Sequence, residues 1–206
     1  DRNPRSAECH SKEGLYVSPP TSCVIGNPGL VVGALLGDSH ADAIAKELGD
    51  ALQARGLGMR HMSYSACPPL DGMYRADAGE GHRCAEFNRD ATQFLLKEPA
   101  LRQVVLVARW PLYFEGSRFD NQEGGIEWGP AVDLRPIGVR REDAFSRQDR
   151  RIAYANSVRA TVEQFLRAGK VVTIVYAVPE VGVDVPSYLA KSAWRAGASF
   201  SPLTTS

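Results

Sequence analysis

Residues 30–48 have the sequence LVVGALLGDSHADAIAKEL, and this stretch decides the fold. The continuous apolar run at residues 30–36 is typical of a strand that is buried on both faces of a sheet. The run stops at Gly-Asp-Ser, and Ile44, Leu48 and Leu52 then recur four positions apart, which predicts a helix at residues 42–55. A serine therefore lies at the tip of a buried strand, on the first turn of a helix.

The same alternation of strand and helix continues along the chain. Further strand patterns lie at residues 58–64, 103–108 and 171–178, and helical patterns at residues 84–97, 144–168 and 187–195. The alternation predicts an α/β protein in which helices cover both faces of a mostly parallel sheet, a three-layer α/β/α fold of the flavodoxin-like kind. Sites in such folds form at the carboxyl ends of the strands, so we expect the loops at residues 37–39, 108–110 and 177–186 to converge.

Two segments interrupt this alternation. Residues 1–29 have no sustained period and contain four prolines, which predicts an irregular lead-in before an α/β domain at residues 30–206. Residues 109–141 are rich in glycine, contain scattered aromatic residues and also lack a period. A connection of this length is uncommon inside a compact domain and is usually a functional or a mobile loop.

The composition limits the possible functions. Hydrophobic residues make up 44% of the chain and charged residues 23%, which is enough for a full core. Lys plus Arg and Asp plus Glu number 24 each, so the balanced charge argues against a nucleic-acid partner. The longest apolar runs have the length of strands and are far shorter than a bilayer span.

The four cysteines, Cys9, Cys23, Cys67 and Cys84, lie in segments rich in Pro, Gly and Ser. They form no Cys-x-x-Cys pair and no zinc-like spacing with histidine, so we expect neither a metal site nor a cofactor. Of the three possible pairings, Cys9–Cys23 and Cys67–Cys84 close short loops, and we favour these disulfides and hence an oxidising compartment. The alternative is four free thiols in a cytosolic enzyme.

The Gly-Asp-Ser turn at residues 37–39 has two possible meanings. The N–H groups of a first helical turn have no intrahelical acceptors and could stabilise a tetrahedral oxyanion beside a Ser39 nucleophile. Gly37 would permit the tight turn, and Asp38 could accept hydrogen bonds that brace the loop. Serine is also among the commonest helix caps, so the tripeptide alone leaves both meanings open.

Four segments together suggest a family: LLGDSHA, SACPP, VVLVARWPLY and VVTIVYAVPEVGVDVP. They resemble the SGNH hydrolase superfamily, and more specifically the SGNH domains attached to membrane acyltransferase-3 proteins, which O-acetylate bacterial surface glycans. The resemblance runs from residue 30 to about residue 186. It implies that Ser39 is the nucleophile and that its own N–H is one oxyanion donor.

The sequence departs from the general SGNH pattern at two strand ends. A glycine after the second strand and a Gly-x-Asn-Asp turn after the third are replaced by Ser-Ala-Cys at residues 65–67 and Ala-Arg-Trp-Pro at residues 108–111. We expect Arg109 to replace the missing asparagine, because its guanidinium is always charged and has five donors. Trp110 would be an aromatic wall or an indole donor. The alternatives are a surface ion pair for Arg109 and core packing for Trp110.

The catalytic base is harder to find. The family takes it from an Asp-x-x-His near the C-terminus, and residues 1–206 contain no such motif. His40 directly follows Ser39, and adjacent side chains on a helix do not face each other. His61 lies in a strand pattern, whereas His10 and His82 lie in cysteine-rich loops. We therefore expect a catalytically incomplete chain that lacks the C-terminal part of the fold.

The resemblance also implies a function. Ser39 would take an acetyl group from a donor that the acyltransferase-3 domain of the same inner-membrane parent delivers, and pass it to a surface glycan such as lipopolysaccharide. We expect a periplasmic monomer. Two alternatives remain, namely a carbohydrate or lipid esterase and a non-catalytic glycan-binding module. Aromatic side chains of the long loop would suit stacking on sugars in each case: Tyr113, Phe114, Phe119 and Trp128.

Overall fold

A computed structural model describes residues 3–122, 126–180 and 185–195 of the 206-residue chain. The chain divides into two compact units, Asp1–Ser117 with Ala131–Val178, and Arg118–Pro130 with Pro179–Ser206. The strands of the first unit are β1 (His10–Ser11), β2 (Val24–Gly26), β3 (Val31–Gly37), β4 (Gly58–Tyr64), β5 (Met73–Arg75), β6 (Gln103–Val107), β7 (Leu134–Pro136) and β8 (Val171–Val175). Its α-helices are α1 (Ser6–Cys9), α2 (Ser39–Gln53), α3 (Cys84–Lys97), α4 (Trp110–Glu115) and α5 (Arg147–Arg167).

The main sheet of the first unit has the strand order β1-β4-β3-β6-β8, and all of these neighbours are parallel. β2 pairs antiparallel with the first half of β4. Gly37, the last residue of β3, pairs with Ser63 on one side and Val107 on the other. The carboxyl ends of β3, β4 and β6 therefore lie side by side, and the predicted mostly parallel sheet is confirmed.

Helices cover both faces of this sheet, as the sequence predicts. Successive residues of β3 point to opposite faces, so Leu35 packs against Ala41 and Ala45 of α2, whereas Leu36 packs among the residues of α3 and α5. Leu35 and Leu36 are at most 1% exposed. Burial of each such side chain contributes about 1.5–3 kcal/mol to stability.

The segment before residue 30 is only partly irregular. β1 and β2 both pair with β4, so the described part of residues 1–29 belongs to the main sheet. Two-residue and three-residue strands are too short to produce a recognisable period. Their pairing depends on β4, whose sequence lies more than thirty residues further along the chain.

The long connection at residues 109–141 contains ordered elements that the sequence analysis did not predict. Its beginning forms α4, and β7 pairs antiparallel with β5 in a separate two-stranded sheet. These elements enclose a second cluster of buried side chains, formed by Leu70, Met73, Ala108, Leu112, Tyr113, Val132, Leu134 and Tyr154. The first part of the expected loop is therefore a packed structural element.

Two of the four aromatic residues proposed for sugar stacking are occupied by this packing. Tyr113 is only 2% exposed, and the ring of Phe114 packs edge-on against Tyr154 with 5.8 Å between the ring centroids. The prediction that Tyr113 is available to a sugar is wrong, because α4 turns this side chain into the core. Trp128, by contrast, is 94% exposed.

The second unit contains the segment Arg118–Pro130 and the helix α6 (Val185–Arg195). In the segment, Asp120 and Ile126 form an antiparallel bridge, and the Arg118 side chain donates a hydrogen bond to the carbonyl of Pro130. On α6, Tyr188 is half exposed and Trp194 is largely exposed. In the described ranges, no helix combines the length and the apolar character that crossing a bilayer requires.

Both predicted disulfides are present. Cys9–Cys23 joins α1 to the residue before β2, and Cys67–Cys84 joins the loop after β4 to the start of α3. Within the described ranges, Glu8, Cys9 and Cys23 lie close enough together to share a metal ion. Both sulfurs belong to a disulfide, however, and the thiolate is the form that binds metal. This cluster is therefore not a thiolate site in this state of the protein.

Replacement of Cys67 and Cys84 by alanine should lower the free energy of unfolding by about 3 kcal/mol, because the disulfide closes a loop of 17 residues. Urea denaturation without reductant would measure the change. Peptide mapping of the unreduced wild-type protein is the control. Crossed pairs or four free thiols in that map would contradict the pairing.

Candidate active site

Ser39 is the first residue of α2, and one residue, Asp38, separates it from the end of the central strand β3. The residue is exposed, although Asp38 immediately before it is buried. The N–H groups of His40, Ala41 and Asp42 all donate to Asp38, the first to its side chain and the others to its carbonyl. In this first turn, the N–H of Ser39 is the donor that Asp38 does not engage.

Gly37 is required by the close approach of two strands. A Cβ atom at this position would lie 1.8 Å from the carbonyl oxygen of Val107 and 2.9 Å from the Cβ of Ala41. Gly37 pairs within the sheet on both sides. The absence of a side chain at this position lets β3 lie close to β6 and α2. Any side chain here would push the turn at residues 37–39 away from β6.

Asp38 connects this turn to the neighbouring strand end. One carboxylate oxygen, Oδ1, accepts the N–H of His40 at 2.7 Å, so Asp38 is the N-cap of α2. The other, Oδ2, accepts the N–H of Arg109 at 3.0 Å and the hydroxyl of Tyr113 at 2.8 Å. The side chain is 1% exposed, so these donors replace the water that burial removes. Asp38 thus braces the turn, with partners that the sequence analysis did not identify.

Arg109 lies between β6 and α4, at the carboxyl end of the strand next to β3. Its backbone N–H donates to Asp38, which fixes residue 109 beside the turn that contains Ser39. The two predicted site residues are therefore on neighbouring strand ends, joined through one buried carboxylate. The use of the Arg109 guanidinium as an oxyanion donor stays a prediction.

Trp110 is held by the sheet. Its indole N–H donates to the carbonyl of Val175 at the end of β8, with 2.7 Å between nitrogen and oxygen. The ring packs against the core on the α3 side of the main sheet and against the second cluster. The indole N–H is therefore already engaged by β8 in this structure. Of the two predicted roles for Trp110, the aromatic wall stays a prediction.

Two of the four histidines share one buried serine. Nδ1 of His10 and Nε2 of His61 both lie 2.8 Å from the hydroxyl of Ser63, and all three residues are buried. Nε2 of His61 is also 3.7 Å from a carboxylate oxygen of Asp42. His10 belongs to β1 and not to a loop, because its residue pairs with Ser63 across the sheet. These two imidazoles are structural parts of the layer beneath α2.

The other two histidines are both partly buried. Nε2 of His82 lies 3.1 Å from the carbonyl of Ser65. His40 has its Nδ1 3.3 Å from a carboxylate oxygen of Asp38, and 37% of its side chain is exposed. His40 therefore combines an accessible imidazole with a neighbouring carboxylate, next in sequence to Ser39.

The buried histidines are neutral at physiological pH. Burial lowers the pKa of His61 from 6.5 to about 4, and burial also lowers the pKa of His10. The Ser63 hydroxyl has one hydrogen, so it can donate to one of these rings only while that ring nitrogen is unprotonated. Protonation of both rings would leave Ser63 without an acceptor.

The fold and this turn define an α/β protein with an exposed serine at the carboxyl end of its central parallel strand. Comparison with protein-family models gives a match over residues 8–206 to the SGNH domain that is fused to AT3 domains, and the chain belongs to this family. Searches among curated proteins and among solved structures gave no significant match. Membership supports an enzyme of the esterase or acyltransferase type, with an AT3 domain in the same parent chain.

Replacement of Gly37 by alanine should destabilise the protein by several kcal/mol, on the order of an overpacked core, because the new methyl group would overlap the carbonyl of Val107. Gly79→Ala is the control, since the nearest atom to a Cβ at Gly79 is 4.0 Å away. Thermal unfolding would compare the two variants. Equal melting temperatures for Gly37→Ala and Gly79→Ala would contradict the requirement for glycine.

The free energy of unfolding should fall as the pH is lowered from 6.5 towards about 4. In this window the unfolded chain binds a proton at His61 that the folded protein does not, so the slope contributed by this residue is at most about 1.4 kcal/mol per pH unit. His61→Gln should flatten the slope. Denaturation series between pH 4 and pH 7 would decide, and parallel curves for wild type and His61→Gln would contradict the assignment.

Proposed function

We propose that this domain transfers an acetyl group, through an acyl-enzyme on Ser39, to a hydroxyl of a bacterial surface glycan. The AT3 domain of the same parent chain would deliver the donor. The main support is the local geometry of Ser39, which is exposed at the end of the central strand, on a turn that Asp38 fixes. Family membership supports the reaction type.

The proposed chemistry has two acyl-transfer steps. The Ser39 hydroxyl attacks the acyl carbonyl of the donor, its proton passes to a base, and the donor's leaving group departs with an acyl-enzyme formed. A sugar hydroxyl then attacks the acyl carbon and gives its proton to the base. The bond between the Ser39 oxygen and the acyl carbon breaks, the acetylated sugar leaves, and the base returns the proton to Ser39. The oxyanion of each tetrahedral intermediate would be stabilised by the N–H of Ser39 and by the Arg109 guanidinium.

The base of this mechanism is a separate question. His10, His61 and His82 are engaged with Ser63 or with the carbonyl of Ser65. The proposal therefore takes the base from the Asp-x-x-His of the family pattern, which the printed sequence does not contain. His40 is the residue to test against this assignment, because its imidazole is accessible and lies beside Asp38.

The proposed setting is the periplasmic side of an inner-membrane protein. Two disulfides are stable in an oxidising compartment and rare in the cytosol. Within the second unit, the exposed Trp128 offers a ring of the kind on which a sugar can stack, and we propose that the segment Arg118–Pro130 binds glycan. The predicted absence of a cofactor fits acyl-transfer chemistry, which needs none.

A fluorophosphonate probe should label the full-length parent protein at Ser39, because the probe reacts with activated serine hydroxyls. Ser39→Ala should lose the label. Ser65→Ala, at the end of β4, is the matched control and should keep it. Peptide mass spectrometry would locate the adduct, and labelling that persists in Ser39→Ala would place the nucleophile elsewhere.

The acceptor can be tested with the same proteins. Incubation of the parent with an acetyl donor and surface glycan should give acetylated glycan that depends on Ser39. Release of free acetate alone, also dependent on Ser39, would instead identify an esterase. Glycan binding without any Ser39-dependent chemistry would identify a binding module. The His40→Gln variant should retain activity, and a complete loss would make His40 the base.

A further inference from the structure

The geometry points to Tyr113 as a positioning residue for the turn at residues 37–39, which contains the proposed nucleophile. Tyr113 would act through the buried carboxylate of Asp38. This inference rests on the proposed role of Ser39. No motif in the sequence indicates this role for Tyr113, because α4 was not predicted and tyrosine is common in protein cores.

The first observation is the hydrogen bond itself. The Tyr113 hydroxyl donates to Oδ2 of Asp38 at 2.8 Å, and both side chains are at most 2% exposed. Burial, and then the charge of Asp38, raise the pKa of Tyr113 well above its usual value. The hydroxyl therefore keeps its proton and remains a donor throughout the physiological pH range.

The second observation is the path from this bond to Ser39. Oδ2 of Asp38 accepts hydrogen bonds from the Tyr113 hydroxyl and the Arg109 N–H, while Oδ1 accepts one from the His40 N–H. Ser39 lies between Asp38 and His40, so the orientation of this carboxylate fixes the backbone on both sides of the serine. A change in that orientation would move the Ser39 N–H and hydroxyl together.

The third observation is that the ring of Tyr113 is already packed by apolar side chains. It lies in the second cluster with Leu112 and Leu134, where a phenylalanine ring would fill the same space. Tyr113→Phe therefore removes the hydroxyl and leaves a buried carboxylate with one donor fewer. The packing of α4 is retained in this variant.

The same cluster provides a matched control. Tyr154 is 6% exposed, and its hydroxyl donates to the carbonyl of Trp110 at 3.3 Å. Tyr154→Phe removes a hydroxyl from the same cluster, and that hydroxyl donates to a carbonyl and not to Asp38. Thermal unfolding of both variants would confirm that each is folded at the assay temperature.

The test uses the full-length parent and compares the rate of fluorophosphonate labelling at Ser39. We expect Tyr113→Phe to slow labelling by roughly ten-fold to a hundred-fold, because small displacements of reacting groups have effects of this size. Tyr154→Phe should label at close to the wild-type rate. Hydrolysis of an activated acetyl ester should show the same pattern in kcat, with KM little changed. Equal rates for the two variants would overturn the inference.

A double-mutant cycle separates positioning from general structural damage. If Tyr113 acts through Asp38, the double variant Asp38→Asn with Tyr113→Phe should label no more slowly than Asp38→Asn alone. If the labelling rate of the double variant falls instead by the product of the two single effects, Tyr113 acts by another route, and the inference is overturned.

Amide hydrogen exchange provides a readout that does not depend on catalysis. The N–H groups of His40 and Arg109 should exchange faster in Tyr113→Phe than in Tyr154→Phe, relative to the amides of α5. If wild-type protein is not labelled at Ser39, the proposed function fails and this comparison alone decides the positioning role. Identical exchange at both amides in the two variants would overturn that role.

Discussion

The site depends on one buried carboxylate that is satisfied by donors from three parts of the chain. Removal of Asp38 from water carries a large desolvation cost, and the protein offsets it with hydrogen bonds from His40, Arg109 and Tyr113. These donors belong to α2, to the loop between β6 and α4, and to α4. These hydrogen bonds fix the turn that follows β3, whose last residue is itself paired with β4 and β6.

The sheet could be predicted from sequence because its signals are local. The runs at residues 30–36 and 104–108 contain no polar side chain, since both faces of these parallel strands are covered. The predicted bounds of β4 and α3, residues 58–64 and 84–97, agree with the structure. Ser39 at the end of β3 and Arg109 at the end of β6 followed from the same rule about strand ends.

The partners within the site could not be predicted because they depend on pairings distant in sequence. Tyr113 reaches Asp38 across 75 residues, and the indole of Trp110 reaches Val175 across 65. His10 was assigned to a loop because β1 has two residues and therefore no period. Each of these contacts depends on which strands are neighbours in the sheet. The local pattern of a single sequence does not contain the order of the strands.

The helix that begins with Ser39 is held from a second side, by the segment that was expected to be a separate lead-in. Asp42, in the first turn of α2, accepts hydrogen bonds from Asn3 at 2.7 Å and from Ser6 at 2.5 Å. The disulfide Cys9–Cys23 and the pairing of β1 with β4 fix this segment in turn. Asp38 therefore ties the start of α2 to β6 and α4, while Asp42 ties it to α1. A serine whose own side chain is exposed can keep a defined position because the residues before and after it are anchored on opposite sides.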